Sequence, residues 1–232
     1  MPSQAMTKIS VIVPILNEAT IIRSALRALQ LLRQAGHEVI VADGGSSDDG
    51  PALAADLADG VIHCAAGRAR QMNAGARAAS GDILLFLHAD TMLPPTVDRI
   101  IITALDRSPR CWGRFDVRLA GRQRPLRLVE AMMNLRSRLG GIATGDQAIF
   151  VRRSAFEKIG GFPAIDLMED IALSKRLKRL SPPLCLRQQV ITSSRRWEQN
   201  GILNTILLMW RLRLAYFLGA DPAHLARRYD RR

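Results

Sequence analysis

Between Ile9 and His88 the chain alternates short apolar runs with stretches of helical period, and this alternation restricts the fold more than any other feature. Ile9-Ser-Val-Ile-Val-Pro14 is rich in β-branched residues and stops at a proline. Ala19 to Gln34 then places Ile21, Ile22, Ala25, Leu26, Leu29 and Leu32 at helical spacing. Glu38 to Asp43 predicts a second strand closed by Gly44-Gly45-Ser46-Ser47, with Ser47 or Asp48 placed to cap a helix running to Ala58. Val61 to Cys64 predicts a third strand and Ala69 to Ala79 a helix. Ile83-Leu-Leu-Phe-Leu87 has the continuous apolar character of a strand covered on both faces. Strands linked through helices need crossover connections, so the expected fold is α/β with a mostly parallel sheet flanked by helices.

Sheets of this kind gather ligands beyond the carboxyl ends of their strands. Those ends carry Pro14-Ile-Leu-Asn17-Glu18, Asp43-Gly-Gly-Ser-Ser47 and His88-Ala89-Asp90, so polar, acidic and glycine-rich groups converge on one rim. After residue 95 the alternation loosens. Helices are expected over Pro95–Arg107, Pro125–Leu139, Leu167–Leu180 and Asn200–Leu218, and strands over Gly113–Leu119 and Gln147–Arg152.

Composition narrows the class further. A chain of 232 residues with 48% hydrophobic and 23% charged side chains is neither disordered nor a disulfide miniprotein. No Pro/Gly/Ser-rich linker divides it, so one domain is expected. Three scattered cysteines, Cys64, Cys111 and Cys185, support neither a disulfide framework nor a zinc cluster. Met1 to Ser10 lacks a signal-peptide core, and Ile202 to Leu218 is interrupted by Asn204, Thr205, Arg211 and Arg213. The expected location is cytoplasmic, with a peripheral position at the inner face of the membrane as its open extension.

The net charge of +12 is unevenly distributed. Residues 1–110 carry 10 basic and 11 acidic groups, whereas residues 111–232 carry 23 basic and 10 acidic groups. A cationic second half points to an anionic partner, either a phosphorylated substrate, a lipid headgroup surface or nucleic acid. Nucleic acid is disfavoured, because aromatics make up only 5%, no recognition motif is present and the acidic rim repels a phosphate backbone.

Three acidic positions could carry chemistry. Asp43 ends a strand before two glycines, where it serves either as a turn residue or as an acceptor for ribose or base groups. Asp90 follows the most apolar strand and suits a hard divalent cation that takes its other oxygens from ligand phosphates; the plainer reading is a solvent-facing loop residue. Glu169-Asp170 opens a helix, where carboxylates favour the positive dipole end or act as a general base.

Five segments together resemble the family-2 glycosyltransferases in order and spacing. They are Ile9-Ser-Val-Ile-Val-Pro-Ile-Leu-Asn-Glu18, Asp43-Gly-Gly-Ser-Ser-Asp48, Gly67-Arg-Ala-Arg-Gln-Met-Asn-Ala-Gly75, Leu87-His-Ala-Asp-Thr91 and Met168-Glu-Asp170. The likeness spans residues 8–180 and is greatest to small bacterial members of uncertain acceptor. It implies a GT-A fold with a nucleotide- and metal-binding half over about 8–110 and an acceptor-side half with C-terminal helices over about 111–232. It also implies an inverting, non-processive transfer from a UDP-, GDP- or dTDP-linked sugar to an anionic or lipid-linked acceptor, with Mn²⁺ or Mg²⁺ as cofactor.

Carried over residue by residue, Pro14, Asn17 and Glu18 would shape the nucleotide pocket, with Ala89 lining it. Asp43 would meet the base or ribose, and Arg68 the nucleotide or its phosphates. Asp90 would hold the metal, Asp170 would be the catalytic base with Glu169 beside it, and Gly145, Asp146 and Gln147 would line the acceptor side. Two departures stand out. His88 replaces the first carboxylate of the family's Asp-x-Asp motif, which leaves its contact with the metal open. Ser193 stands where processive synthases carry the Gln of Gln-x-x-Arg-Trp, although Arg196-Trp197 is retained. Trp197 is either an acceptor-stacking ring or a core residue. A nucleotidyltransferase acting on a sugar phosphate is the alternative, disfavoured because Pro14–Glu18 contains no glycine to cradle phosphate. An inactive nucleotide-binding module is the second alternative, raised by His88.

Overall fold

The computed structural model describes residues 6–230. Eight strands form one sheet: β1 Ile9–Ile15, β2 Glu38–Asp43, β3 Gly60–His63, β4 Ile83–Phe86, β5 Thr91–Met92, β6 Trp112–Leu119, β7 Ile149–Arg152 and β8 Leu184–Thr192. Their spatial order is β3-β2-β1-β4-β7-β6-β8-β5. The β3-β2-β1-β4 block is parallel, as is β6-β8, while β7 runs antiparallel to both β4 and β6 and β5 runs antiparallel to β8. The sheet is therefore mostly parallel with a mixed second portion, as expected.

The helices are α1 Ala19–Ala28, α2 Gln30–Gln34, α3 Gly50–Ala54, α4 Arg68–Ala78, α5 Val97–Asp106, α6 Arg124–Gly140, α7 Arg153–Lys158, α8 Glu169–Leu177, α9 Arg195–Asn200, α10 Ile202–Phe217 and α11 Pro222–Asp230, with a 3-10 turn at Gly145–Gln147. They cover both faces of the sheet. Alternation along β1 sends Ile9, Val11, Val13 and Ile15 into the layer packed by α1, α2 and α5, and Ile12 into the layer packed by α4, α7 and α8. Each such buried side chain contributes roughly 1.5–3 kcal/mol of transfer free energy. On the second face α4 lies close to the sheet, and a Cβ on Gly75 would come within 2.5 Å of Ile12 Cγ2.

Several elements differ from the sequence expectation. The helix expected over Ala19–Gln34 breaks at Leu29, yet Leu29 and Leu32 remain buried because the chain re-enters a helix at once. The helix expected to reach Ala58 ends at Ala54. Asp48 serves two helix starts, accepting from Gly50 N at 3.0 Å and from Ala19 N at 2.8 Å. Strands β5 and β8 and helices α7, α9 and α11 were not expected. In β8, Arg187, Gln188 and Gln189 are exposed where the pairing with β6 shifts register at Phe115/Asp116, and this hides the alternation that marks a strand.

Candidate active site

The rim anticipated from the strand ends is a cleft of about 890 Å³. The end of β1 supplies Pro14 and the turn after it Glu18, α4 supplies Arg68, and the segment after β4 supplies His88, Ala89 and Asp90. Asp146 comes from the 3-10 turn, and Arg195, Arg196 and Trp197 from the first turn of α9. Thr205 and Met209 on one side of α10 and Tyr229 of α11 complete the wall.

The reversal of direction at β4/β7 brings the acidic groups together. Because β7 runs antiparallel to β4, the turn preceding β7 faces the segment that follows β4. His88 Nδ1 lies 3.5 Å from Asp146 Oδ1, and the other edge of the imidazole packs so closely on Gly145 that any Cβ there would collide with it. Gly145 N in turn donates to Asp170 Oδ2 at 3.0 Å, while Asp170 Oδ1 accepts from Ile171 N at 2.6 Å. One turn thus touches His88 on one side and Asp170 on the other. The His88 ring is occupied by this turn.

Electrostatics separate these carboxylates. Burial and the charge of Asp90 push Glu18 above its ordinary range. Burial would also raise Asp146, but the imidazole of His88 and the guanidinium groups of Arg68 and Arg196 outweigh it and hold the carboxyl low. Glu169 is buried at the start of α8, and burial together with the adjacent Asp170 charge raises it to about 7. Asp170 is raised as well, by burial above all, against the two backbone N–H donors that favour its charged form.

Other predicted residues take supporting positions. Asn17 adopts a left-handed conformation (φ 56°), and its Oδ1 accepts from Ser47 N at 2.8 Å and Ser47 Oγ at 3.1 Å. Asp43 is buried and accepts from Ser46 N, Ser46 Oγ, Gly45 N and the His63 imidazole. Its desolvation is outweighed by those donors, which hold it below the usual range. Gln147 is fully buried, and its Oε1 accepts from Thr144 N at 3.2 Å. Asn17, Asp43 and Gln147 therefore shape loops, and neither they nor Gly145, Glu169 and Asp170 are among the residues lining the cleft. Trp197 does two jobs: it lines the cleft and packs against Leu119, Leu126 and Val129.

Sequence reasoning missed several participants. Gln71 donates to Ile15 O at 2.6 Å and Ala42 O at 2.9 Å, tying α4 to the ends of β1 and β2; its place inside the Gly67–Gly75 segment was the available signal. The Arg196 guanidinium stacks 3.6 Å above the Tyr229 ring. Burial above all, and then the charge of Asp170, raises the phenol of Tyr216 on α10. Among the described residues no group of three or more His, Cys, Asp or Glu is arranged to hold a metal ion. Asp90 offers an exposed hard oxygen donor at the cleft, which suits an ion that completes its shell with phosphate oxygens and water.

Residues 10–160, well over half of the chain, match the family described as Glycosyl transferase family 2. The chain belongs to this family. Solved structures support the fold. Glucosyl-3-phosphoglycerate synthase from Mycobacterium tuberculosis, solved with Mn²⁺, UDP and glucosyl-3-phosphoglycerate, is 21% identical with a TM-score of 0.61, over 79% of this chain and 70% of that one. Residues 1–349 of S. aureus TarS with UDP are 19% identical with a TM-score of 0.66, over 80% and 60% of the two chains. The Pyrobaculum calidifontis mannosyltransferase PcManGT, solved with GDP-Man and Mn²⁺, is 21% identical with a TM-score of 0.62, over 91% and 62%. This glycosyltransferase thus has the GT-A fold and spans 60–70% of the length of these structures. No curated protein matches it.

Proposed function

We propose that this glycosyltransferase moves a sugar from a nucleoside-diphosphate donor to an acceptor hydroxyl in one inverting, non-processive displacement. The observation that carries the reading is the arrangement around the turn at Gly145–Gln147. Asp90 stands on the His88 side, where Arg68, Arg195 and Arg196 line the same cleft, and Asp170 accepts from Gly145 on the other side of the turn. Arg68, Arg195 and Arg196 offset the negative charge that grows on the departing diphosphate. Asp170, its carboxylate oriented by the N–H groups of Gly145 and Ile171, takes the acceptor proton as the hydroxyl attacks the anomeric carbon. Burial raises its pKa, and a carboxylate shifted in that direction is a stronger base.

Asp90 would hold Mn²⁺ or Mg²⁺ together with donor phosphates, and Glu18 adds negative charge nearby. When bound, the ion supplies electrophilic stabilisation of the diphosphate. Structural neighbours with UDP, UDP-GlcNAc and GDP-Man support a nucleotide-sugar donor, and the Mn²⁺ and Mg²⁺ complexes among them support the cofactor. The cationic second half fits an acceptor that carries negative charge or a lipid anchor.

A thermal-shift panel of UDP, GDP and dTDP, each with and without Mn²⁺, tests the proposal. A nucleotide present at about 100 Kd should stabilise by about 2.7 kcal/mol, or roughly 5–10 °C for a chain of this size. No shift with any of them would sink it.

A further inference from the structure

Most of the large hydrophobic side chains exposed among the described residues lie on two neighbouring helices, α6 and α10. On α10 they are Leu203, Leu207, Trp210, Leu214 and Phe217, exposed by 51–76%. Their spacing of four, three, four and three residues lines them up as one narrow stripe along the helix. The opposite side of α10 is already used: Leu212 is buried against Leu167, Met168 and Ile171 at the start of α8, while Ile202 and Ile206 pack on α6. The stripe is therefore a second apolar face that folding does not cover. No helix of the described residues is long and apolar enough to cross a membrane.

Charge decides what can cover it. Between Gln199 and Ala220 the sequence contains no acidic residue, and Arg211 and Arg213 fall on the two flanks of the stripe. Lys175 adds a third positive group, its Nζ 4.6 Å from the Phe217 ring centre and 5.1 Å from that of Tyr216. The four-three spacing would also suit a paired helix from a second copy. Parallel or antiparallel, such a pair sets arginine against arginine with no glutamate to answer it. An anionic lipid surface supplies both of the missing complements, hydrocarbon for the stripe and negative headgroups for its flanks.

We propose that the outer face of α10 is a membrane-docking surface that seats the protein on anionic bilayers. Thr205 and Met209 of the same helix line the cleft, so docking holds the cleft wall beside the lipid surface. The proposal does not rest on the transferase reading, because it is tested by binding alone.

The test uses the full chain with vesicles of phosphatidylcholine, alone or mixed with phosphatidylglycerol, at low and high salt. Flotation with the mixed vesicles only, weakened by salt, is the expected result. Emission of Trp210 should shift to the blue on binding, and Trp210→Phe should lose that shift while still floating, since Trp112 is buried and Trp197 sits in the cleft. Leu207→Ser/Leu214→Ser should weaken flotation at least tenfold with an unchanged melting temperature, because both side chains are exposed. Arg211→Gln/Lys175→Gln should weaken it by about fivefold for each group removed. Equal flotation of the wild type and the serine variant overturns the proposal, as does no flotation with either vesicle. Sedimentation as a dimer that the serine substitutions dissociate would also overturn it, in favour of a second copy as the occupant.

Discussion

Replacing Glu169 with glutamine should stabilise the protein at alkaline pH, by an amount that follows from where the carboxyl sits. Glu169 is 5% exposed and adjoins Asp170, and these two circumstances raise it from 4.5 to about 7. The folded protein therefore keeps a proton that the unfolded chain releases near pH 4.5. The stability this confers is complete below that pH and is lost as the pH rises to about 7. At about 1.4 kcal/mol per pH unit the loss amounts to about 3 kcal/mol. Glutamine keeps the shape and stays neutral, so Glu169→Gln should match the wild type near pH 4.5 and exceed it by roughly 6–12 °C in melting temperature at pH 8. Melting curves of both proteins across pH 4.5–8 measure this directly. Parallel stability profiles would refute the reasoning, because they would mean that burial of Glu169 carries no penalty for its charge.

Other expectations follow from the same geometry. Asp170→Asn should lower kcat by at least about 100-fold while leaving nucleotide-dependent stabilisation in place, as measured by transfer assays beside thermal shifts. Asp90→Asn should remove the Mn²⁺-dependent part of the nucleotide shift and spare the rest, since Asp90 faces the cleft and Arg68 remains. Gly145→Ala should cost about 1–3 kcal/mol in urea unfolding, because its new methyl group must displace the His88 ring. Leu173→Ala, fully buried between α8 and the sheet, should cost about 2–5 kcal/mol by the same measure.

The N-terminal half was legible because its strands are short apolar runs and each ends in distinctive polar residues. Pro14, Glu18 and Asp90, which were read from the strand ends, line the cleft, and so does Arg68, which only the family resemblance singled out. The second half was harder to read. Strand β8 carries three consecutive exposed polar residues at a register shift, so its sequence lacks the alternation of a half-buried strand. The spacing of Asn17 and Asp43 marked them as special without revealing that their oxygens are spent on Ser46 and Ser47. The place of Arg195 in the cleft and the stacking of Arg196 on Tyr229 became visible only once α9 and α11 were in position, because no periodicity reports a contact made between residues so distant in sequence.

Strand β4 also bears on how such a protein can be cut or shuffled. It is hydrogen-bonded to β1 on one side and to β7, contributed by residues 149–152, on the other. A fragment ending near residue 110 would leave Ile83 to Phe86 with an open backbone edge on an apolar strand, which is a template for aggregation. The N-terminal half is therefore not a transplantable cassette: its edge strand β4 is sealed by the half that would be left behind.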